Sequence, residues 1–346
     1  MTTEVAIIGD RFMLPDMFEE ALLATCGEFV ICHKLEQPWP DAPMEYGYAV
    51  SGMDGLKEYM GTPEDIIAHV GAAPVLVTHL APLSRAMFEA MPTLKMVAVS
   101  RGGPVNIDMA AARDHNVLVV NTPGRNSSAV AEFTIGAILA ETRNITRGHD
   151  ALRKGNYRGD LYRADVAGNE LSDMTVGVIG HGTVGSKVVK LLRPFGARIL
   201  VSDPYVQLDP ADAEAGVQMV SFEQLLAEAD IVTLHPRVTA ETQNMMNAKT
   251  LRTMKPGATL VNTARGPLMD YDALFDVLRE GHLRGAMLET FAIEPTPPDW
   301  PLLQLPNVTL TPHIAGASLK TVRTATKKAA EEVRRWLAGD PPLNPC

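Results

Sequence analysis

An α/β protein made of two units is predicted by three features of the 346-residue sequence. Short apolar runs alternate with helical periodicity along most of the chain, the pattern that lays helices over a parallel sheet. The alternation pauses in a polar stretch and restarts at Thr175, so the pattern describes two such units. At the head of the second, the glycine-rich turn Gly180-His181-Gly182-Thr183-Val184-Gly185 stands between a strand and a helix.

In the first unit, the apolar run Val5–Gly9 reads as a buried strand and residues 15–26 as a helix. Residues 36–63 are rich in Pro, Gly and Tyr and read as a long excursion with one short helix around Gly55–Met60. Pro74–Thr78 is the second strand, and Ser84 opens a helix to Ala90. The strand Lys95–Ser100 runs into the turn Arg101-Gly102-Gly103-Pro104. A helix over Asp108–Asp114 and a strand over Val117–Val120 follow. After the break at Asn121–Gly124, one long helix is expected from Ser128 to about Lys154. It is apolar over much of its circumference, so it packs in a core or against a partner chain. A homodimer through the 128–154 helix is the corresponding expectation. Strands are then expected at Val176–Ile179, Ile199–Ser202, Ile231–Leu234, Thr259–Asn262, Ala286–Glu289 and Val308–Leu310. A last helix, Leu319–Ala338, stops before Pro341-Pro342.

Composition narrows the partners. The formal net charge is −10, which argues against nucleic acid. The three cysteines, Cys26, Cys32 and Cys346, contain no Cys-x-x-Cys pair. Neither a disulfide framework nor a cysteine-built metal site is expected. No basic segment followed by an apolar run opens the chain, and no apolar run reaches the ~18 residues that span a bilayer. A cytoplasmic protein with no membrane partner is the expectation.

The glycine turn has a specific physical meaning. Gly180 allows the tight turn, Gly182 lets the backbone approach a pyrophosphate, and Gly185 permits close packing of helix on strand. Main-chain N–H groups and the helix dipole attract the phosphates. The next strand ends in Asp203, 23 residues beyond Gly180 (203 − 180). A carboxylate there accepts hydrogen bonds from both ribose hydroxyls and repels the 2′-phosphate of NADP. Pro204-Tyr205 supplies no compensating arginine. NAD is the expected cofactor.

Three further segments follow strand ends, where doubly wound sheets place ligands. They are Asn262–Pro267, Gly285–Phe291 running on to Glu294-Pro295, and Thr311–Gly316. Oxidation of a 2-hydroxy acid needs a cation to hold the carboxylate, a base for the hydroxyl proton, and a carboxylate that favours the protonated base. Arg265, His313 and Glu294 supply these three types.

With those residues on the page, the chain resembles the D-isomer-specific 2-hydroxyacid dehydrogenases, in particular their phosphoglycerate dehydrogenase-like branch. The resemblance runs from about Pro74 to Trp336. It rests on VNID (Val105–Asp108), AVAEF (Ala129–Phe133), GHGTVG, LHPRVTAET (Leu234–Thr242), MKPGATLVNTARG (Met254–Gly266), EP and TPHIAG. It implies Arg265 as carboxylate anchor, His313 as acid/base and Glu294 as its partner. It also implies cofactor contacts at Thr183, Val184, Asp203, Thr263, Ala264, Arg265, Glu289, His313, Ala315 and Gly316, beside the glycines of the turn. Two Rossmann-like doubly wound domains follow from it, a nucleotide-binding domain over 122–311 inserted in a split substrate domain of 1–121 and 312–346. The site is expected between them, and dimers form through the long helix.

The sequence departs from the family in places that bear on substrate. The loop usually written G-x-G-x-D-N-I-D reads Arg101-Gly102-Gly103-Pro104-Val105-Asn106-Ile107-Asp108. Arg101 thus adds a cation to a loop that, with Gly102 and Gly103, is expected to bind substrate. Thr78-His79 replaces the arginine-serine pair that meets a phosphate, which argues against 3-phosphoglycerate. Glu289 replaces an aspartate, keeping the charge with longer reach, and Pro236-Arg237 inverts the usual order. The leading reading is an NAD-dependent dehydrogenase acting on a small 2-hydroxy or 2-oxo acid, with glyoxylate or hydroxypyruvate reduction as one specific form. The alternative from another class is an NAD-binding co-repressor-like module without turnover. Formate- or phosphonate-type oxidation is a third.

Overall fold

The computed structural model describes residues 2–39 and 52–346. The chain divides into two compact units, Met1–Asn126 with Ala317–Cys346, and Ser127–Gly316. The second is therefore an insertion in the first. Both are doubly wound parallel α/β units, as the alternating pattern predicted.

The first unit carries strands β1 (Thr3–Gly9), β2 (Val30–Glu36), β3 (Val75–Thr78), β4 (Met96–Val99) and β5 (Leu118–Val120) in the order β2-β1-β3-β4-β5. All pairings are parallel. Its helices are α1 (Pro15–Cys26), α2 (Pro63–Val70), α3 (Arg85–Ala90) and α4 (Met109–Asp114), joined by the C-terminal helix α12 (Leu319–Ala338). Val5, Ile7, Val75 and Val77 face α1 and α12 through Phe18, Leu22, Val322, Ala325 and Val333. Ala6, Ile8, Leu76, Val97 and Val99 face the other side, against Ile66, Met87 and Phe88. With helices on both faces, β1, β3 and β4 need near-continuous apolar runs, which is why they were legible.

The inserted unit begins with α5 (Ser127–Thr142) and α6 (Ile145–Arg153). Strands β6 (Thr175–Ile179), β7 (Arg198–Ser202), β8 (Gln218–Met219), β9 (Ile231–Leu234), β10 (Thr259–Asn262), β11 (Gly285–Leu288) and β12 (Val308–Leu310) follow. Helices α7 (Gly185–Leu192), α8 (Pro210–Glu214), α9 (Phe222–Glu228), α10 (Ala248–Thr253) and α11 (Tyr271–Arg279) connect them. The strand order β12-β11-β10-β9-β6-β7-β8 reverses direction between β6 and β9. That switch point is where such sheets bind dinucleotides. Val176 and Val178 pack on Ala131, Ile138, Val188 and Leu192, while Leu200, Leu234 and Leu260 pack on Leu225, Leu251 and Leu274. Each such side chain, fully removed from water, contributes roughly 1.5–3 kcal/mol.

Three expectations need correction. The long helix over 128–154 is two helices, broken at Arg143-Asn144. Asn144 takes left-handed φ 55° and ψ 27°, a conformation that ends a helix but that asparagine tolerates. Its amide donates to Val166 O at 3.2 Å, and its Oδ1 accepts from Arg147 at 2.8 Å and Arg284 at 3.1 Å. Periodicity alone carried the pattern straight through this break. Around Gly55–Met60 there is no helix, because Gly55, Glu58 and Gly61 have φ of 81°, 50° and 94°. The helix nearby is α2, opened by Thr62, whose hydroxyl accepts the Asp65 N–H. Residues 40–51 of the 36–63 excursion lie outside the described residues. Finally, β2 and β8 were not anticipated. Both are edge strands whose side chains, apart from buried Val30, are half-exposed or exposed, so neither shows a sustained apolar run.

All three cysteines are unpaired; Cys26 is buried, Cys32 half-buried and Cys346 exposed. Among the described residues, no helix is long and apolar enough to cross a membrane.

Candidate active site

The glycine turn closes as its sequence requires. Gly180 has φ 86°, and a Cβ there would meet Pro236 N at 2.8 Å. A Cβ on Gly185 would lie 2.0 Å from Gly180 O, so only glycine lets α7 start this close to the strand end. At Gly182 a Cβ would meet nothing within 4 Å. The turn is thus tight behind and open in front, a cradle that fits a pyrophosphate. Thr183 is exposed and Val184 half-buried beside it.

Asp203, just past β7, anchors this turn. Its Oδ2 accepts the His181 N–H at 2.7 Å, and its Oδ1 accepts the Tyr205 N–H at 2.9 Å. Each carboxylate oxygen retains a second lone pair for a further donor. The His181 side chain is buried, and burial pushes its pKa down against the opposing pull of Asp212 and Asp203. On the other flank of β6, Pro236 abuts Gly180, so a residue without an N–H sits where the two backbones crowd. The preceding His235 is half-buried, and burial around its ring pushes its pKa down to about 3.

The remaining predicted residues lie at the carboxyl ends of three adjacent strands. After β10, the Asn262 amide donates to Arg265 O at 3.0 Å and its Oδ1 accepts the Ala264 N–H at 3.1 Å. This short loop presents Arg265 as an exposed side chain whose Nη1 donates back to Ala264 O at 2.7 Å. Thr263 instead turns inward. It is 4% exposed, and its hydroxyl meets that of Thr134 on α5 at 2.8 Å. Only its main chain is offered outward.

Gly266 couples the next loop to this one. A Cβ there would lie 2.0 Å from the Phe291 carbonyl carbon. The loops after β10 and β11 therefore touch, backbone on backbone. Within the second loop, Glu294 Oε1 accepts the Phe291 N–H at 2.7 Å. Its Oε2 lies 2.8 Å from His313 Nδ1, past β12. An ionised carboxylate only accepts, so Nδ1 carries the hydrogen and Nε2 is left for proton exchange. His313 itself has φ 53°, and its N–H donates to Glu289 O at 3.0 Å.

Glu289 holds this last loop from beneath. It is 1% exposed, and its Oε1 accepts the Ala315 N–H. Burial raises its carboxyl pKa to about 7, against the opposing effect of the Ala315 and Ile314 N–H groups and of His313. Ala315 is buried and Gly316 half-buried. The structure thus joins Glu289, Glu294 and His313 in one hydrogen-bonded group, with Arg265 on a loop clamped to it.

In the first unit, Gly102 and Gly103 form an exposed turn after β4, as expected. Arg101 behaves differently. Its Nη1 donates to Glu58 O at 2.9 Å, and Nη2 pairs with the Glu58 carboxylate. Its charge is taken up within the unit. The sequence reading passed over another cation at the same sheet edge, Arg125, which follows β5 and contacts His79. Among the described residues, no group of three or more His, Cys, Asp or Glu could hold a metal.

Comparison with known proteins agrees with this geometry. Residues 135–315 match the family profile described as D-isomer specific 2-hydroxyacid dehydrogenase, NAD binding domain. A glyoxylate reductase of Korarchaeum cryptofilum is 37% identical over 280 residues, covering 81% of this chain and 84% of that protein. A D-3-phosphoglycerate dehydrogenase of Mycobacterium leprae is 34% identical over 328 residues, covering 95% of this chain but 57% of that protein. The chain thus spans little more than half the length of that longer relative. The solved structure of D-2-hydroxyisocaproate dehydrogenase superposes with a TM-score of 0.82 at 25% identity, covering 99% of each chain. The glycine cradle, the strand-end Arg265, Glu294 and His313, and these likenesses together place the chain in the D-isomer specific 2-hydroxyacid dehydrogenase family, NAD-dependent oxidoreductases acting on the CH–OH group of 2-hydroxy acids.

Proposed function

We propose that this chain interconverts a small 2-oxo acid and its D-2-hydroxy acid, with Arg265, His313 and Glu294 as the working side chains. The observation that carries the reading is the 2.8 Å contact between His313 Nδ1 and Glu294 Oε2 at the carboxyl edge of the nucleotide-binding sheet. The Gly180–Gly185 turn, Asp203, the main chain of Thr263 and Ala264, and the Glu289–Gly316 region hold NAD. When bound there, the nicotinamide would supply hydride exchange at the substrate C2.

Arg265 forms a two-point hydrogen bond to the substrate carboxylate and sets which carbonyl face is presented. In reduction, His313 gives the Nε2 proton to the oxygen at C2, and in oxidation it takes that proton back. Glu294 keeps the hydrogen on Nδ1 and stabilises the imidazolium that forms or is consumed. Glu289 keeps the His313 loop in place through the Ala315 N–H. Replacing His313 with alanine lowers kcat by about a hundredfold or more, the scale of an acid/base residue. Near wild-type turnover by that variant on the true substrate would reject the assignment.

Glyoxylate is the first substrate to test. Two relatives named glyoxylate reductase are covered over 84% and 85% of their length, and the Thr78-His79 pair argues against a phosphate-bearing acid. A cytoplasmic homodimer is the favoured state. Helix α6 leaves Ile145 58% and Leu152 60% exposed, and Tyr157 and Tyr162 follow it on the surface. Light scattering after size exclusion that gives only a monomer mass would exclude the dimer.

A further inference from the structure

Arg125 is unlike the other cations of its unit. The sheet order reverses between β1 and β3, and doubly wound sheets bind ligands outside the carboxyl ends of the strands at that point. Asp10 follows β1 and His79 follows β3, and they are 1% and 6% exposed. His79 Nδ1 lies 2.7 Å from Asp10 Oδ2. The other carboxylate oxygen accepts the Phe12 and Met13 N–H groups at 2.9 and 2.8 Å. Burial pushes the Asp10 carboxyl up, but His79 and these N–H groups outweigh it and hold it low. Burial pushes His79 down.

Arg125 Nη2 lies 3.3 Å from His79 Nε2. Arginine only donates, so Nε2 accepts and Nδ1 carries the hydrogen to Asp10. The Asp10–His79 pair thereby fixes one edge of the guanidinium. Its face lies over the Phe12 ring at 5.9 Å, and Nη1 is 3.6 Å from Met13 Sδ. Burial pushes its pKa down to about 10, with only the Asp10 charge opposing.

None of the ion pairs among the described residues gives Arg125 a carboxylate within 4.0 Å, in contrast to Arg101, which holds Glu58. The residue is half-buried, and its Nε, which meets no acceptor among the described residues, is not sealed from solvent. A largely desolvated cation with an uncommitted donor gains most from a ligand that brings charge and two acceptors together.

From this arrangement we propose that Arg125, positioned by His79 and Asp10, is an oxyanion-binding residue of the first unit and takes a carboxylate or phosphate group of a small molecule. The group comes either from the acidic tail of a 2-oxo acid substrate or from a separate anion. Only the first source rests on the function proposed above.

Two measurements test it. Malonate and inorganic phosphate are titrated calorimetrically into the Arg265→Gln protein, which lacks the guanidinium proposed to hold the substrate carboxylate. Adding Arg125→Gln weakens anion binding about tenfold or more, and Arg125→Lys, which keeps the charge without the planar fork, weakens it less. Thermal unfolding of the same variants reports whether each is folded, and the lysine variant carries the test should the glutamine variant fail. With Arg265 intact, the ratio of kcat/KM for oxaloacetate to that for glyoxylate is then compared. A tenfold fall in that ratio in the Arg125 variants supports the tail as source. Lost anion binding with an unchanged ratio supports a separate anion. Anion binding equal in all Arg125 variants, with an unchanged ratio, overturns the proposal. Failure to turn over any 2-oxo acid removes the proposed function, and the calorimetric arm still decides this one.

Discussion

Replacing Glu289 with glutamine should flatten the pH dependence of stability near neutrality. The side chain is 1% exposed, and burial raises its carboxyl from 4.5 to about 7. Between those values the folded state keeps a proton that the unfolded chain has released. The stabilising contribution of this proton is therefore complete below about pH 4.5 and lost as pH rises through about 7. The gap is worth about 3 kcal/mol between the two limits, and roughly 2–3 kcal/mol between pH 5 and pH 8. Glutamine retains an acceptor for the Ala315 N–H and cannot ionise, so it removes this component. Urea unfolding of both proteins at the two pH values gives the assay. The loss of stability from pH 5 to pH 8 should be smaller in Glu289→Gln by about that amount. An equal loss in the two proteins would show that Glu289 ionises normally and that its burial carries no electrostatic penalty.

Other substitutions separate the roles of neighbouring residues. Gly185→Ala places a methyl 2.0 Å from Gly180 O, so stability falls by about 1–3 kcal/mol in thermal unfolding and NAD affinity falls with it. Gly182→Ala meets nothing within 4 Å, so the melting temperature holds while calorimetry shows NAD binding weakened about tenfold or more. Asp203→Ala lowers the NADH-to-NADPH ratio of kcat/KM about tenfold, the scale of one charge-assisted hydrogen bond. Asn144→Ala gives up the three side-chain hydrogen bonds at the helix break and keeps a left-handed backbone. A loss of about 2–4 kcal/mol in urea unfolding is expected, with Asn144→Gly recovering about 1 kcal/mol of it.

The elements that were legible are those whose cause is local. The buried strands β1, β3, β4 and β6 are apolar runs because helices cover both of their faces. The glycine turn announces itself because only glycine survives a φ of 86° at Gly180 and a 2.0 Å approach at Gly185. Arg265, Glu294 and His313 could be picked out because each follows a strand end in a short, unusual string. The edge strand β2 escaped because its side chains are mostly exposed, and the helix break at Asn144 escaped because the apolar pattern continues across it.

The sequence by itself determined the fold class and the cofactor turn and singled out the residues proposed to act on a 2-hydroxy acid, since all three are written in spacings of a few residues. Only the tertiary structure decided which charges are committed. Arg101 looked available in the sequence and is paired with Glu58, 43 residues earlier. Arg125 carried no signal in the sequence, yet it stands beside His79, 46 residues earlier, with no carboxylate of the described residues within 4.0 Å. Glu289 looked like a conservative replacement, and burial gave it a carboxyl that titrates near neutrality. The physical reason is common to all three. A side chain's charge and accessibility are set by neighbours that the parallel sheets bring together from distant strand ends, and no local pattern encodes those distances.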